Sequence, residues 1–264
     1  MTITSFDPGL IGAAKQYASM IKTASRTAVA ASWFSVFDLA GNPGAGTLAG
    51  TSTTTGTVPT DATAGCPTIS AFGGGATGYL AQVDFGSSVA CRIKLFDLLW
   101  KGGAYAFNAS TTGQTPTSYA SRIPGGVYGD EQIWYEQVTA GTGVQNVAVT
   151  YNDQGGASSS TGTIAAPAAM IAGRMFQLPV AAGDTGVQGI TGVVGSVATA
   201  GTFNILVMRP LWSGRVRIAN DGDTHGPDKT LLPEIFADSA LFMAICPDST
   251  ATGVPELEFV IANG

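Results

Sequence analysis

The stretch Thr77–Gly103, TGYLAQVDFGSSVACRIKLFDLLWKGG, returns in altered form as Thr185–Arg215, TGVQGITGVVGSVATAGTFNILVMRPLWSGR. Thr77-Gly78 matches Thr185-Gly186, and Gly86-Ser87 matches Gly195-Ser196. Ile93-Lys94-Leu95 matches Ile205-Leu206-Val207, and Leu99-Trp100-Lys101-Gly102 matches Leu211-Trp212-Ser213-Gly214. Downstream, Ile123-Pro124 answers Leu232-Pro233, Ile133-Trp134 answers Leu241-Phe242, and Thr142-Gly143-Val144 answers Thr252-Gly253-Val254. An ordered series of matches at a period of about 110 residues is the mark of an internal duplication, the alternative being one large β domain with convergent turn chemistry.

Both copies carry runs in which apolar and polar groups alternate: Arg92-Ile93-Lys94-Leu95-Phe96, Ile133 to Val138, Val147 to Tyr151 and Glu256 to Val260. Period two puts one set of side chains on a core face and the other in solvent, the pattern of half-buried strands. With turn signals between the runs, the expected class is all-β: two tandem antiparallel β-sandwich or jelly-roll-like domains from the duplication, behind a short, partly helical N-terminal arm. The expected boundaries are 1–40 for the arm, 41–65 for a Gly/Thr-rich linker or extended arm, 66–160 for copy 1 and 161–264 for copy 2.

In the arm, Pro8 suits a first helical turn, and Leu10, Ile11, Ala14, Tyr17, Ala18 and Ile21 follow a 3.6-residue spacing. The run Ala28–Leu39 is compatible with helix or strand. Residues 41–65 have too few large apolar groups to offset the entropy of ordering them.

Charged residues make up 11% of the chain and hydrophobic ones 45%, so Thr, Ser, Asn, Gln, Gly and Ala must cover most of the surface. Low charge favours association, which suits a subunit that spends its life packed against neighbours. A net charge of −6 with 12 Lys and Arg offers no clustered cations for phosphate, so no direct nucleic-acid contact is expected. Cys66, Cys91 and Cys246 have neither zinc-site spacing nor the density of a disulfide scaffold, and buried free thiols are expected. The opening MTITSFDPGLIGAAKQ lacks the basic and apolar runs of a secretory signal, and no apolar window reaches the ~18 residues of a membrane helix. The expectation is a protein made in the cytoplasm, with no membrane partner.

His225 is the only histidine, which excludes a histidine-based triad or a multi-histidine zinc site in each copy. Asn220–Asp228 is the most polar segment, but a calcium loop would close on Glu where Leu232 stands, so side-chain-capped turns are expected there. Asp130-Glu131 and Asp238 read as turn carboxylates, and Trp100 and Trp212 as equivalent core positions, with sugar-stacking platforms as the alternative. No phosphate loop, nucleotide fingerprint or nucleophile elbow is present. The expectation is a non-enzymatic chain without catalytic residues, metal or cofactor.

FDLLWKGGAYAFNAS, PTSYASRIPGG, RMFQLPVAAGDTGVQGI, the segment from RPLWSGR through NDGDTHG to FADSAL, and the closing EFVIANG resemble a family of tailed-bacteriophage virion proteins encoded near the major capsid gene. The resemblance covers most of the chain beyond residue 20. It implies a particle component and carries over no catalytic residue. Combined with the weakly charged duplicated fold, it leads to a head decoration or cement protein, located in the virion after assembly in the host cytoplasm. Its expected partners are the major capsid protein and copies of itself as a trimer. Phe6, Leu10, Ile11, Tyr17 and Ile21 of the arm are the expected partner-binding residues. A neck, tail or fibre-base protein, and a carbohydrate-binding module used in adsorption, are the alternatives.

Overall fold

The structure, a computed structural model, describes residues 12–73, 76–108, 110–143, 145–167, 169–196 and 200–264. Its strands, in chain order, are β1 (Ala14–Lys22), β2 (Trp33–Ser35), β3 (Gly41–Asn42), β4 (Ser52–Thr57), β5 (Gly78–Ser87), β6 (Cys91–Ala106), β7 (Ser110–Thr112), β8 (Gln132–Thr139) and β9 (Asn146–Asp153). There follow β10 (Ser158–Ser160), β11 (Ile164–Ala165), β12 (Arg174–Leu178), β13 (Val187–Ser196), β14 (Thr202–Val216), β15 (Asp221–His225), β16 (Glu234–Ile235), β17 (Leu241–Pro247) and β18 (Pro255–Asn263). A short α-helix, α1 (Pro227–Thr230), joins β15 to β16. All recorded pairings are antiparallel, and the chain is all-β, as the alternating runs predict.

The centre is a ring. Strands β14, β8, β12, β2, β17 and β6 pair in that order, and β6 pairs back onto β14, with β4 added outside β6. Phe96, Leu98, Trp134, Met175, Leu206, Met208, Phe242 and Ala244 from these strands form one buried cluster. Two outer sheets pack against the ring. The first has the order β15-β5-β18-β1-β3, with β16 also on β5, and the second β10-β9-β13-β7, with β11 also on β9. Between ring and first sheet lie Phe34, Val83, Phe85, Ile93, Leu95, Trp212, Met243 and Phe259. Between ring and second sheet lie Trp100, Tyr105, Tyr135, Val149, Tyr151, Ile190, Phe203 and Val207.

The molecule is therefore a double sandwich, but its halves are not the consecutive blocks 66–160 and 161–264. The second sandwich is continuous from β7 to β14, and it is inserted into the first, which draws β1, β2, β5 and β6 from one end of the sequence and β15, β17 and β18 from the other. The cause is the length of β6 and β14, 16 and 15 residues. At about 3.3 Å per residue each spans roughly 50 Å, more than one sandwich needs, so both strands serve both cores. The crossover happens at bulges, where Leu99 and Leu211 are skipped in the β6–β14 register. One extra residue reverses which side chains face which side, and β6 changes from serving the first core with Ile93 and Leu95 to serving the second with Leu99 and Trp100.

The β6–β14 ladder carries the duplication in its register. Ile93 faces Gly214 while Ile205 faces Gly102, Leu95 faces Trp212 while Val207 faces Trp100, and Phe96 faces Pro210 while Met208 faces Leu98. Each pair becomes the next when one copy's residues are exchanged for their sequence equivalents, so a local two-fold relation passes through Asp97 and Arg209, which face each other. The sequence matching is two residues out further on. Ile133 pairs with Val207 and Met243 pairs with Leu95, which makes Met243, not Leu241, the equivalent of Ile133. A slip of two preserves the apolar alternation, so the sequence alone reads the same in both registers.

The N-terminal arm departs from the helical expectation. Residues 14–22 form β1, paired with β18 from Ala14 opposite Asn263 to Ile21 opposite Glu256, and Trp33–Ser35 forms β2 inside the ring. Met20 and Phe34 are fully buried, and Lys22 is buried with its Nζ donating to the Leu39 carbonyl at 3.1 Å. Pairing to a strand from the far end of the chain overrides the local 3.6-residue stripe. Residues 41–65 are likewise a strap rather than a free linker. Thr47 and Leu48 carbonyls accept from Lys101 Nζ at 2.9 Å and Asn204 Nδ2 at 2.6 Å, and Thr54 and Thr55 carbonyls accept from the Thr115 and Thr117 amides. Hydrogen bonds hold most of a segment whose one large apolar side chain packed on the second core is Val58.

Candidate interaction surface

Of the five expected partner-binding residues, Phe6, Leu10 and Ile11 lie outside the described residues. Tyr17 and Ile21 are four apart on β1, which on a strand puts both on one face. Ala18, Met20 and Lys22 alternate inward, so Tyr17 and Ile21 point away from the core; Tyr17 is 78% exposed and Ile21 half-buried.

The registers of β1, β18 and β5 extend this face into rows. Tyr17 lies beside Val260 and Gln82, and Ser19 beside Glu258 and Asp84. Asp84 is held in place: Thr224 Oγ1 donates to its Oδ1 at 2.6 Å and Gln82 Nε2 to its Oδ2 at 2.9 Å. A cleft of about 860 Å³ runs over these rows, bounded by Lys15 and Tyr17 on one side and Pro227 of α1 on another. Its floor is mixed: Val260 and the Tyr17 ring are apolar, Asp84 and Glu258 acidic. The alternation in 256–260 identified β18 as a strand, but nothing local in the sequence shows that it lies beside β1. The equivalent face of the second outer sheet, Asn146, Ala148, Thr150 and Asn152 of β9 with Gln188 and Thr191 of β13, carries no charge.

The other candidates are absorbed by the fold. Trp100 is fully buried, its Nε1 donating to the Thr55 carbonyl at 3.0 Å, and Trp212 is 6% exposed, its Nε1 donating to His225 Nδ1 at 3.0 Å. Neither is a sugar platform. Burial and the nearby Lys229 lower the His225 pKa, against smaller opposing effects of Asp223 and Asp228. Residues Asp221–His225 form strand β15 where side-chain-capped turns were expected, though Asp221 and Asp223 do accept from the amides that follow them, those of Gly222 and Thr224. Among the described residues no three His, Cys, Asp or Glu side chains come together as metal ligands.

The acidic turns are also structural. Glu131 is buried and its Oε2 accepts from the Gly129 and Val187 amides at 3.1 and 3.3 Å; desolvation raises its pKa. Asp238 offers its carbonyl to Arg122. Cys66, Cys91 and Cys246 are free and buried, with burial pushing Cys66 up to about 12 and Cys91 up to about 11. No helix among the described residues is long and apolar enough to cross a membrane.

No protein-family model matches the chain, and no curated protein matches it. Among solved structures, a chain of infectious bursal disease virus, Gx strain, is 8% identical over 95% of this chain and 80% of that one, with a TM-score of 0.17. A chain of the Gt strain is 10% identical over 94% and 81%, with a TM-score of 0.18. Scores this low support no inference about fold or role.

Proposed function

We propose that the chain is a structural component of a bacteriophage particle, a decoration or cement protein that sits on the head shell as a trimer and binds the major capsid protein. The observation that carries the reading is the first outer sheet. An exposed Tyr17 stands over a broad cleft on the outer face of the double sandwich. A chain with 11% charged residues is suited to permanent contact of this kind. The sequence resemblance to phage virion proteins supports the same reading. Two related sandwiches per chain would let a trimer present six similar modules about a local three-fold axis, the closed symmetry usual for repeated subunits.

Mass spectrometry of purified particles with stoichiometry tests this. A head protein is expected on the order of hundreds of copies per particle, a neck, tail or fibre-base protein at roughly a dozen or fewer, as the symmetries of those structures dictate. Absence from the particle sinks the proposal. The carbohydrate-binding reading needs surface aromatic platforms, and both tryptophans proposed for it are in the core.

A further inference from the structure

The turns that follow the related strands β17 and β8 are packed differently. After β17, Thr252 is fully buried against the segment that leads into β2. Its amide donates to the Arg26 carbonyl at 3.0 Å, and its Oγ1 accepts from the Arg26 amide at 3.1 Å and meets Ser25 Oγ at 3.4 Å. After β8, the matching Thr142 is exposed. The Gly141 amide still reaches the Met170 carbonyl, and the Ala166 amide the Gln145 carbonyl. Between this turn and the segment that leads into β12, however, a hollow of about 400 Å³ remains.

Gln145 lines the hollow with Gly141, Ala166, Pro167, Met170 and Ile171. It is 3% exposed, and neither its Nε2 nor its Oε1 has a hydrogen-bond partner. The carboxamide lies against Gly141, where an added Cβ would meet Nε2 at 1.2 Å. Burial strips such a group of its hydrogen bonds to water, and folded proteins pair nearly all of the groups they bury. The residue after the matching turn in the first copy is Pro255, so the unpaired amide belongs to the second copy alone. The wall around it is otherwise apolar: Met170 belongs to the second core and Ile171 packs on the first. No charged side chain stands among the described lining residues.

We propose that this hollow binds a neutral primary carboxamide carried on a short apolar stem. The Gln145 side chain offers a donor and an acceptor in one plane, and a group that answers both at once presents a carbonyl oxygen beside an N–H. A carboxylate has no donor to offer, and in this wall its charge would be desolvated without a cation to face it. The stem packs on Pro167, Met170 and Ile171. The volume suits a small ligand, such sites measuring about 300–1,000 Å³. A free amide and the side chain of an asparagine or glutamine on a neighbouring chain share this chemistry.

Saturation-transfer NMR on the full chain tests it. Isobutyramide is expected to bind with a Kd on the order of 1 mM, as befits so few heavy atoms, and isobutyrate about tenfold more weakly or worse. Binding of N-acetylglutamine methylamide with the alanine analogue silent assigns the amide to a neighbour's side chain; binding of isobutyramide alone assigns it to a free molecule. No binding by any amide, isobutyrate equal to isobutyramide, or the alanine analogue equal to the glutamine one overturns the proposal. Gln145→Met keeps the length of the side chain and removes both amide atoms. Binding is expected to vanish while the thermal midpoint holds or rises, because an unpaired buried amide has gone. Retained binding overturns the proposal, and so does a lower midpoint, which would mean that the amide is already paired within the protein. Gly141→Ala leaves Gln145 in place and puts a Cβ where its amide lies; binding is expected to weaken about tenfold or more, and unchanged binding overturns the proposal even if Gln145→Met does not fold. Absence of the protein from particles would overturn the proposed function and leave this site standing.

Discussion

Asp97 and Arg209 occupy equivalent positions in the two copies, face each other across the β6–β14 ladder, and bring Oδ2 within 3.5 Å of Nη2 where the local two-fold relation passes. The duplicated unit carries opposite charges where β6 and β14 cross the local two-fold relation. Arg122 approaches Asp97 Oδ1 at 3.5 Å, while its Nη1 donates to the Pro59 and Asp238 carbonyls and its Nη2 to the Leu98 carbonyl. Ser239 Oγ and the Ala240 amide donate to Asp97. All three charged side chains are buried.

Asp97→Asn leaves two buried guanidinium groups without their carboxylate. Removing one partner of a buried ion pair costs about 3–5 kcal/mol, so urea denaturation is expected to show a loss of that size, with both sandwiches unfolding together. A loss under about 1 kcal/mol would mean that water reaches the cluster.

Gly56 sits at φ +60, and a Cβ there would lie 2.2 Å from the Trp100 ring. Gly56→Ala is expected to cost about 2 kcal/mol from overpacking and the left-handed backbone. Thermal unfolding followed by tryptophan fluorescence measures it, and an unchanged midpoint would show that the strap yields at no cost.

His225 Nδ1 accepts from Trp212 Nε1, so the bond requires an unprotonated Nδ1. Its pKa is lowered by burial first; the unfolded chain therefore takes up a proton before the folded one does. Stability is full above the unfolded value of about 6.5 and falls as pH drops below it. Stability measured between pH 8 and 5 is expected to show this slope in wild type and to lose it in His225→Ala. An identical slope in both would remove the histidine from the account.

The thiols report on opening. With Cys66 raised to about 12 and Cys91 to about 11 by burial, almost no thiolate exists at neutral pH. A thiol reagent is expected to modify the native protein only at the rate of unfolding, and to label three cysteines promptly in denaturant. Rapid labelling of the native state would contradict the burial.

The class of fold and the equivalence of β5 with β13 and β6 with β14 were legible because apolar alternation and Gly–Trp landmarks are local properties. Which strands pair was not. Nothing in Ala14–Lys22 indicates that β18, over two hundred residues away, is its partner, and the 3.6-residue stripe of Leu10 to Ile21 is a competing local signal. The exchange of strands between copies is invisible for a similar reason: Leu99 and Leu211, which switch faces, look like any apolar residue in an apolar run. Tyr17 and Ile21 were legible as apolar members of a stripe on the arm, but their exposure on a strand was not, and the cleft beside them is made by neighbours that sequence separation hides.

The nesting of one sandwich inside the other also sets a timetable for synthesis. β5 and β6 leave the ribosome long before β17 and β18, their partners in the first core. At about 5–20 residues per second the delay is roughly 10–30 s, during which the second sandwich can close and the first cannot. Chains stalled before residue 241 are expected to resist protease over 110–207 and to be cut within 14–90, and only release of β17 and β18 completes the first core.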